Sequence, residues 1–229
     1  MPKNGIKLRQ PGLPEFFAWE AMKVDMKYRI IACNVFKKDL LRILGDGHGH
    51  ELVFLDFGFH RRPAKLRERL QALIRQRGDV GAILLLYGYC GGTMKLQATD
   101  IPVVMPKAHD CFDIMLGREE RLALFQEEPG TYFLSEGWVR NDRTPAERIE
   151  DLKGGFAGDD EIIQAIYSGY HRILFVKTGA ETEDCVARAR RSAQEMTWSF
   201  EEKTGVLPFM NKMVSGTWDD DFVVLAKRR

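Results

Sequence analysis

The chain lacks any stretch approaching the roughly 18 apolar residues that a membrane-spanning helix needs. Its first segment, MPKNGIKLRQPGLPEFFAWEAMKV, has no continuous apolar core and no small-residue cleavage site, so it does not read as a secretory signal. A charge excess is missing too. Lys and Arg number 34 against 33 Asp and Glu, a formal net charge of +1, which supplies no footprint for nucleic acid or an anionic membrane. The one basic knot, RARR at Arg188–Arg191, reads as a solvated helix face. Several motifs are absent: G-x-x-x-x-G-K-[ST], G-x-G-x-x-G after a strand, G-x-S-x-G, H-E-x-x-H and C-x-x-C. Those absences remove the usual signals for phosphate loops, dinucleotide clefts, α/β-hydrolase elbows, zincins and thioredoxin-like redox pairs. Cysteine is scarce, four in 229 residues, and a cytoplasmic location would keep those thiols reduced.

Three of the four cysteines fall where an expected β-strand runs out. Cys33 closes YRIIAC, Cys90 closes AILLLYGYC, and Cys111 follows IPVVMPK in the segment AHDC. In an open parallel α/β sheet the carboxyl ends of the strands face a common crevice, and ligands bind there. Neighbouring strands lie about 4.8 Å apart, so thiols at adjacent strand ends can converge. Cys185, in the helical pattern EDCVARARRSAQEM, reads instead as a small buried hydrophobe.

Apolar runs set the fold class. Strands are expected at Tyr28–Cys33, Glu51–Phe57, Ala82–Tyr87, Ile101–Met105, Thr131–Trp138 and His171–Gly179, with helical patterns between them. Pro63 opens a helix in which Leu66, Leu70, Leu73 and Ile74 share one face. A single long helix is expected from Asp110 to about Gln126, with strand, helix and strand in the tail. This alternation argues an α/β fold with a mainly parallel sheet, helices on both faces in Rossmann-like layers, and a site at the carboxyl edge. Residues 1–26, rich in proline, read as an arm carrying a short helix around Glu15–Met22. Residues 27–229 read as one α/β domain whose two pseudo-halves meet near 156–160.

The residue types point to thiolate chemistry. Cys33, Cys90 and Cys111 form a soft ligand set suited to zinc or an iron–sulfur cluster. Gly88, Gly91 and Gly92 let the backbone approach a bound group and leave N–H groups facing it. Cys111 sits at an expected helix start, where free N–H groups favour thiolate, and Asp110 is placed to cap that helix. His60 follows the second strand in FLDFGFH, and His109 precedes Cys111 by two residues. Either could be a ligand, or a general acid or base at neutral pH. Asp56 could orient His60 or a substrate. Glu136 and Trp138 could also reach the crevice, Trp138 as packing. His48 and His50, in GDGHGH, read as a solvated loop.

YGYCGG at Tyr87–Gly92, PKAHDC at Pro106–Cys111, EEPGTYFLSEGW at Glu127–Trp138 and GTWDDDF in the tail together resemble a family of prokaryotic proteins classed as a domain of unknown function. Members share a cysteine after the first strand, matched by Cys33, and a histidine and proline opening the second helix, matched by His60 and Pro63. The resemblance spans about Tyr28 to Leu225. Tyr89 departs from it, where a smaller or aliphatic residue is expected. Some members occur beside corrinoid-dependent methyltransferase systems, which implies methyl-group or one-carbon metabolism and a corrinoid supplied by a partner protein.

Three readings stay open on the sequence. In the first, a cysteine-ligated metal enzyme acts on a small-molecule substrate, through zinc in methyl transfer or through an iron–sulfur cluster as a lyase or dehydratase on a small acid. The second is a non-enzymatic protein that handles a metal or corrinoid. The third uses Cys111 as a nucleophile activated by a histidine without metal.

Overall fold

The computed structural model describes residues 26–76, 78–89, 92–155 and 165–226. Cys90, Gly91, the expected helix around Glu15–Met22 and the 156–160 segment lie outside the described residues. Strand β1 (Tyr28–Cys33) pairs in parallel with β2 (Glu51–Leu55) on one side and β3 (Ala82–Leu86) on the other. Strand β3 pairs in parallel with β4 (Val103–Pro106). The far edge of β4 is covered by β8 (Phe222–Leu225), which returns from the end of the chain antiparallel, Val103 opposite Leu225 and Pro106 opposite Phe222. The first sheet thus has the order β2-β1-β3-β4-β8.

With that edge taken, β5 (Thr131–Ser135) starts a second sheet with β6 (Arg172–Lys177) and β7 (Ser199–Thr204), all parallel. The described residues therefore form two sheets where strand alternation alone suggested one. The change of sheet falls between β4 and β5, ahead of residue 156.

Helices separate and flank the sheets. Helix α1 (Lys37–Leu44) follows a 3₁₀ turn at Asn34–Phe36, and α2 (Pro63–Arg75) follows another at Phe57–Arg61. Helix α3 (Cys111–Leu116) ends at Gly117, and α4 (Arg118–Glu127) begins directly after it. The long helix expected there is broken because Gly117 takes φ +90°. Helices α5 (Glu136–Asn141), α6 (Pro145–Gly155), α7 (Glu183–Glu195) and α8 (Pro208–Val214) complete the named elements.

Successive residues of the first sheet face two different cores, as a two-residue strand period requires. Ile31, Ile83 and Leu85 join the buried stripe of α2, namely Leu66, Leu70, Leu73 and Ile74. Ile30, Ala32, Leu84 and Leu86 face a second core, which also holds Leu40 of α1, Ile114 and Met115 of α3, and Phe209, Met210 and Met213 of α8. Phe133, Leu174 and Val176 of the second sheet enter that same core. The opposite face of the second sheet packs Leu134, Ile173 and Phe175 on Cys185, Ala189 and Ala193 of α7. No helix among the described residues is long and apolar enough to cross a membrane.

One departure from the sequence reading shapes the site. TYFLSEGW is not a strand throughout, because β5 stops at Ser135 and Glu136 begins α5. Glu136 is buried, and its carboxylate accepts from Lys38 of α1 and from the Thr182 N–H (3.0 Å) and hydroxyl (3.2 Å). Burial works against its charge, but these donors outweigh it and hold its carboxyl below the usual range. The helix start is thus tied to the first sheet through α1 and to the second through the loop ahead of α7.

Candidate functional site

At the carboxyl edge of the first sheet, β1 ends in Cys33 and turns at once into the 3₁₀ segment Asn34–Phe36. That turn places the backbone N–H groups of Asn34 and Val35 beside the Cys33 sulfur, and the Tyr87 hydroxyl lies near it at the end of β3. Burial pushes the Cys33 thiol above its ordinary value. The two N–H groups and Tyr87 pull the other way without overcoming it, and nearby Asp56 adds to the rise. The sulfur therefore sits in a shell of donors suited to a negative charge, yet stays a thiol at neutral pH unless a cation offsets its burial.

Cys111 reaches the same place from the other side. It is the first residue of α3, whose start is fixed by Asp110: Oδ1 accepts from Phe112 N at 2.8 Å and Asp113 N at 3.0 Å. Asp113 returns the support by accepting the His109 N–H at 2.7 Å. Gly88 makes this approach possible. A Cβ there would lie 2.8 Å from His109 O and 2.9 Å from Asp110 N, so any side chain would push the Cys111 turn off the end of β3.

Trp138 closes the site from α5. Its indole Nε1–H donates to Cys111 Sγ at 3.1 Å. The ring meets Phe57 edge-on at 4.9 Å, His60 edge-on at 5.3 Å and Phe112 at 5.7 Å. A second close approach places it there. Gly137 lies against Val35, and a Cβ would overlap the Val35 carbonyl, so only glycine lets α5 dock on the turn that carries Cys33. Cys33, Cys111, Tyr87, Gly88, Asp56, His60 and Trp138 line one cavity of about 30 Å³, with Val35, Phe36, Phe57, Phe59 and Leu66 as its apolar wall. That is room for an ion or a water-sized group. It is an order of magnitude below the ~300–1,000 Å³ of small-molecule pockets.

Residues 54–214 match the family described as "Protein of unknown function (DUF1638)". The chain belongs to this family. The matched region takes in His60, Cys90, Cys111 and Trp138, and Cys33 precedes it. Neither the curated proteins nor the solved structures compared with the chain give a match.

The histidines and carboxylates singled out in the sequence part company. His60 stands at the cavity mouth, stacked on Phe57 with ring centroids 5.5 Å apart. Burial of its ring, and then the Arg61 charge, hold its pKa below the ordinary value, so the imidazole is neutral at pH 7. His109 is exposed, its ring edge-on to Tyr89 at 5.9 Å, and it is not among the residues lining the cavity. Asp110 is the helix cap that the sequence suggests. Asp56 accepts the Gly58 N–H at 2.7 Å and caps the turn that carries His60. Gly92 caps the 3₁₀ turn Thr93–Lys95. Cys185 is buried under the second sheet, away from the cavity lining. His48 and His50 are not simply solvated: each Nδ1 accepts a backbone N–H, from His50 at 3.0 Å and from Tyr28 at 3.3 Å.

Among the described residues no three of His, Cys, Asp and Glu gather as a metal-holding group. Two residues of the site were undervalued by sequence reasoning. Tyr87 looked like the last residue of a buried strand, and Trp138 like packing. A signal for Trp138 was present: Gly137 interrupts the apparent strand TYFLSEGW, and a glycine inside a strand pattern marks a break or a close backbone approach.

Proposed function

We propose that this cavity is a soft-metal site in which Cys33 and Cys111 are thiolate ligands. Cys90, two residues beyond Gly88 in the chain, is the third ligand on sequence grounds. The observation that carries the reading is the direction of the hydrogen bonds. The Trp138 indole N–H donates to Cys111, and the Asn34 and Val35 N–H groups and Tyr87 lie beside Cys33, where they favour its thiolate. A neutral thiol is a weak acceptor and gains little from such a shell, whereas N–H groups around sulfur tune and hold metal-bound thiolates. The positive ion would also supply what the burial of Cys33 lacks, a charge to balance the thiolate.

The cavity volume favours one ion over a cluster, and three protein ligands with an open fourth position is the arrangement of catalytic zinc. The chemistry we assign is activation of a small nucleophile for methyl-group or one-carbon transfer, in keeping with the family members found beside corrinoid systems. Any corrinoid would stay on a partner protein, since the cavity has no room for it. His60, neutral and at the mouth, would accept a proton from a substrate thiol or hydroxyl presented there. A cytoplasmic setting would keep the cysteines reduced.

The test is metal analysis of the full chain purified anaerobically, with Cys33→Ser, Cys90→Ser, Cys111→Ser and Cys185→Ala beside it. The expected result is one zinc per chain in the wild type and in Cys185→Ala, with most of it lost in the other three. A folded wild type that binds neither zinc nor cobalt(II), or a Cys90→Ser variant with full metal content, sinks this assignment.

A further inference from the structure

We infer that the basic start of α2 is a docking surface for an acidic protein, which comes to rest over the mouth of the thiol cavity. Between His60 and Ile74 the chain carries Arg61, Arg62, Lys65, Arg67 and Arg69 against one carboxylate, Glu68, a formal +4 in a chain of net +1. Leucine and alanine interrupt this run in the sequence. The helix gathers it, because spacings of three and four set Arg62, Lys65 and Arg69 in one exposed stripe. The 3₁₀ turn Thr93–Lys95 extends the patch. It lies along α2, where the Gln71 side chain exchanges hydrogen bonds of 2.8 and 3.4 Å with the Gln97 backbone. It adds exposed Lys95 and Met94, the latter 64% exposed.

These charges do not serve the fold. Arg62 is the N-cap residue of α2, and Lys65 lies in its first turn, which holds no acidic residue. The helix dipole disfavours cations there. Among the described residues only Arg61 of the run is ion-paired, with Asp142 at 2.8 Å. The basic knot on α7 is different, because Arg188 is held by Glu147 and Arg190 by Glu202. Side chains that break a local rule with no compensating partner in the fold mark a functional surface.

The composition of the patch selects the partner. Arginine and methionine are enriched where proteins meet. Glu68, beside the stripe, repels phosphate, and Met94 gains nothing from a nucleic-acid backbone. The net charge of the chain supplies no wider positive field for one. An acidic protein surface complements the stripe and covers Met94. Its resting place follows from the chain. Arg61, Arg62 and Lys65 stand between His60 and Leu66, both in the cavity lining. A standard interface covers about 800 Å² per partner, a patch about 30 Å across, so one that includes Arg62 also covers His60, its near neighbour in the chain. The docking surface stands on its own charges; only the use of the cavity by the docked protein rests on the thiol site proposed above.

The test uses the full chain and a fluorescent poly-L-glutamate peptide as the acidic probe, with an oligodeoxynucleotide of equal charge beside it. Arg62→Glu/Lys65→Glu should weaken peptide binding by at least ~10-fold at low salt, while Arg190→Glu/Arg191→Glu should change it by less than ~2-fold. The α2 reversal puts carboxylates at a helix start, so its thermal midpoint should hold or rise. Arg62→Gln/Lys65→Gln gives an intermediate loss should the reversal perturb the fold. Saturating peptide should slow iodoacetamide alkylation of Cys33 and Cys111 several-fold in the metal-free wild type and not in the α2 reversal. Equal losses in the two reversals, tighter binding of the oligonucleotide, or alkylation rates that the peptide leaves unchanged overturn the inference. So does a wild type that sediments as a dimer and becomes monomeric in Arg62→Glu/Lys65→Glu, since the occupant would then be a second copy. Docking by a protein that takes up no metal removes the metal assignment and leaves this one standing, and metal uptake without docking does the reverse.

Discussion

The indole N–H on Cys111 offers the sharpest handle, because Trp138→Phe removes one donor and keeps most of the ring. Phenylalanine can retain the edge contact with Phe57 and the stack on Phe112, now 4.9 and 5.7 Å between centroids. What goes is a 3.1 Å N–H···S bond. Hydrogen bonds to charged groups are worth about 1.5–3 kcal/mol, and Cys111 is partly exposed, so the lower end applies. At 1.36 kcal/mol per pKa unit, the Cys111 thiolate should become about one unit harder to form. In the metal-loaded protein the same loss should weaken zinc by about 10-fold, the lower edge of the range for outer-shell partners. The assay is the pH dependence of iodoacetamide alkylation in metal-free protein, read separately for the Cys33 and Cys111 peptides. Cys33 is the internal control, since its donors are Asn34, Val35 and Tyr87. An unmoved Cys111 midpoint in a folded variant would refute the idea that this donor tunes the sulfur. An equal movement of both cysteines would refute it too, by showing general repacking.

Two further outcomes follow from the same geometry. Gly137→Ala forces a methyl into the Val35 backbone, so it should cost about 1–3 kcal/mol of stability, as overpacking does; a denaturation midpoint unchanged from wild type would show that α5 docks less tightly than described. The raised Cys33 pKa has a pH signature in the metal-free protein: the folded state keeps a proton that the unfolded chain releases near pH 8.5. Stability should therefore be intact below that pH and decline above it, by up to about 1.4 kcal/mol per pH unit from this group. Cys33→Val should flatten that part of the decline between pH 8.5 and 9.5, and an identical slope in both proteins would rule the contribution out.

The first sheet was legible because its inner strands β1, β3 and β4 are buried on both faces and read as apolar runs, AILLL above all. Pro63 and the Leu66–Ile74 stripe marked α2, and Asp110 marked the start of α3. Pairing was harder to read. FVVL near the end of the chain announces a strand, but nothing in those residues says that it will lie antiparallel on β4. That placement takes the edge of β4, and β5, β6 and β7 pair in a sheet of their own. Helix α5 sits against the first sheet's Cys33 turn, so the Trp138 side of the cavity comes from a docking that no local pattern encodes.

The cysteines illustrate the same division. Their position at strand ends follows from local pattern, and that pattern brings Cys33 and Cys111 to one cavity. Their chemistry does not, because it depends on which donors face the sulfur. Backbone N–H groups at a helix start would favour the Cys111 thiolate, but Asp110 takes those of Phe112 and Asp113. The donor that reaches the sulfur is an indole 27 residues away. It arrives there only because Gly137 has no side chain and Glu136 is gripped from both sheets. For Cys33 the backbone matters more, since the Asn34 and Val35 N–H groups favour its thiolate. Two thiols of like sequence context are thus prepared by unlike means, one by its own turn and the other by the second sheet. Loosening α5 should therefore change Cys111 strongly and Cys33 weakly, the asymmetry that the paired alkylation profiles are built to detect.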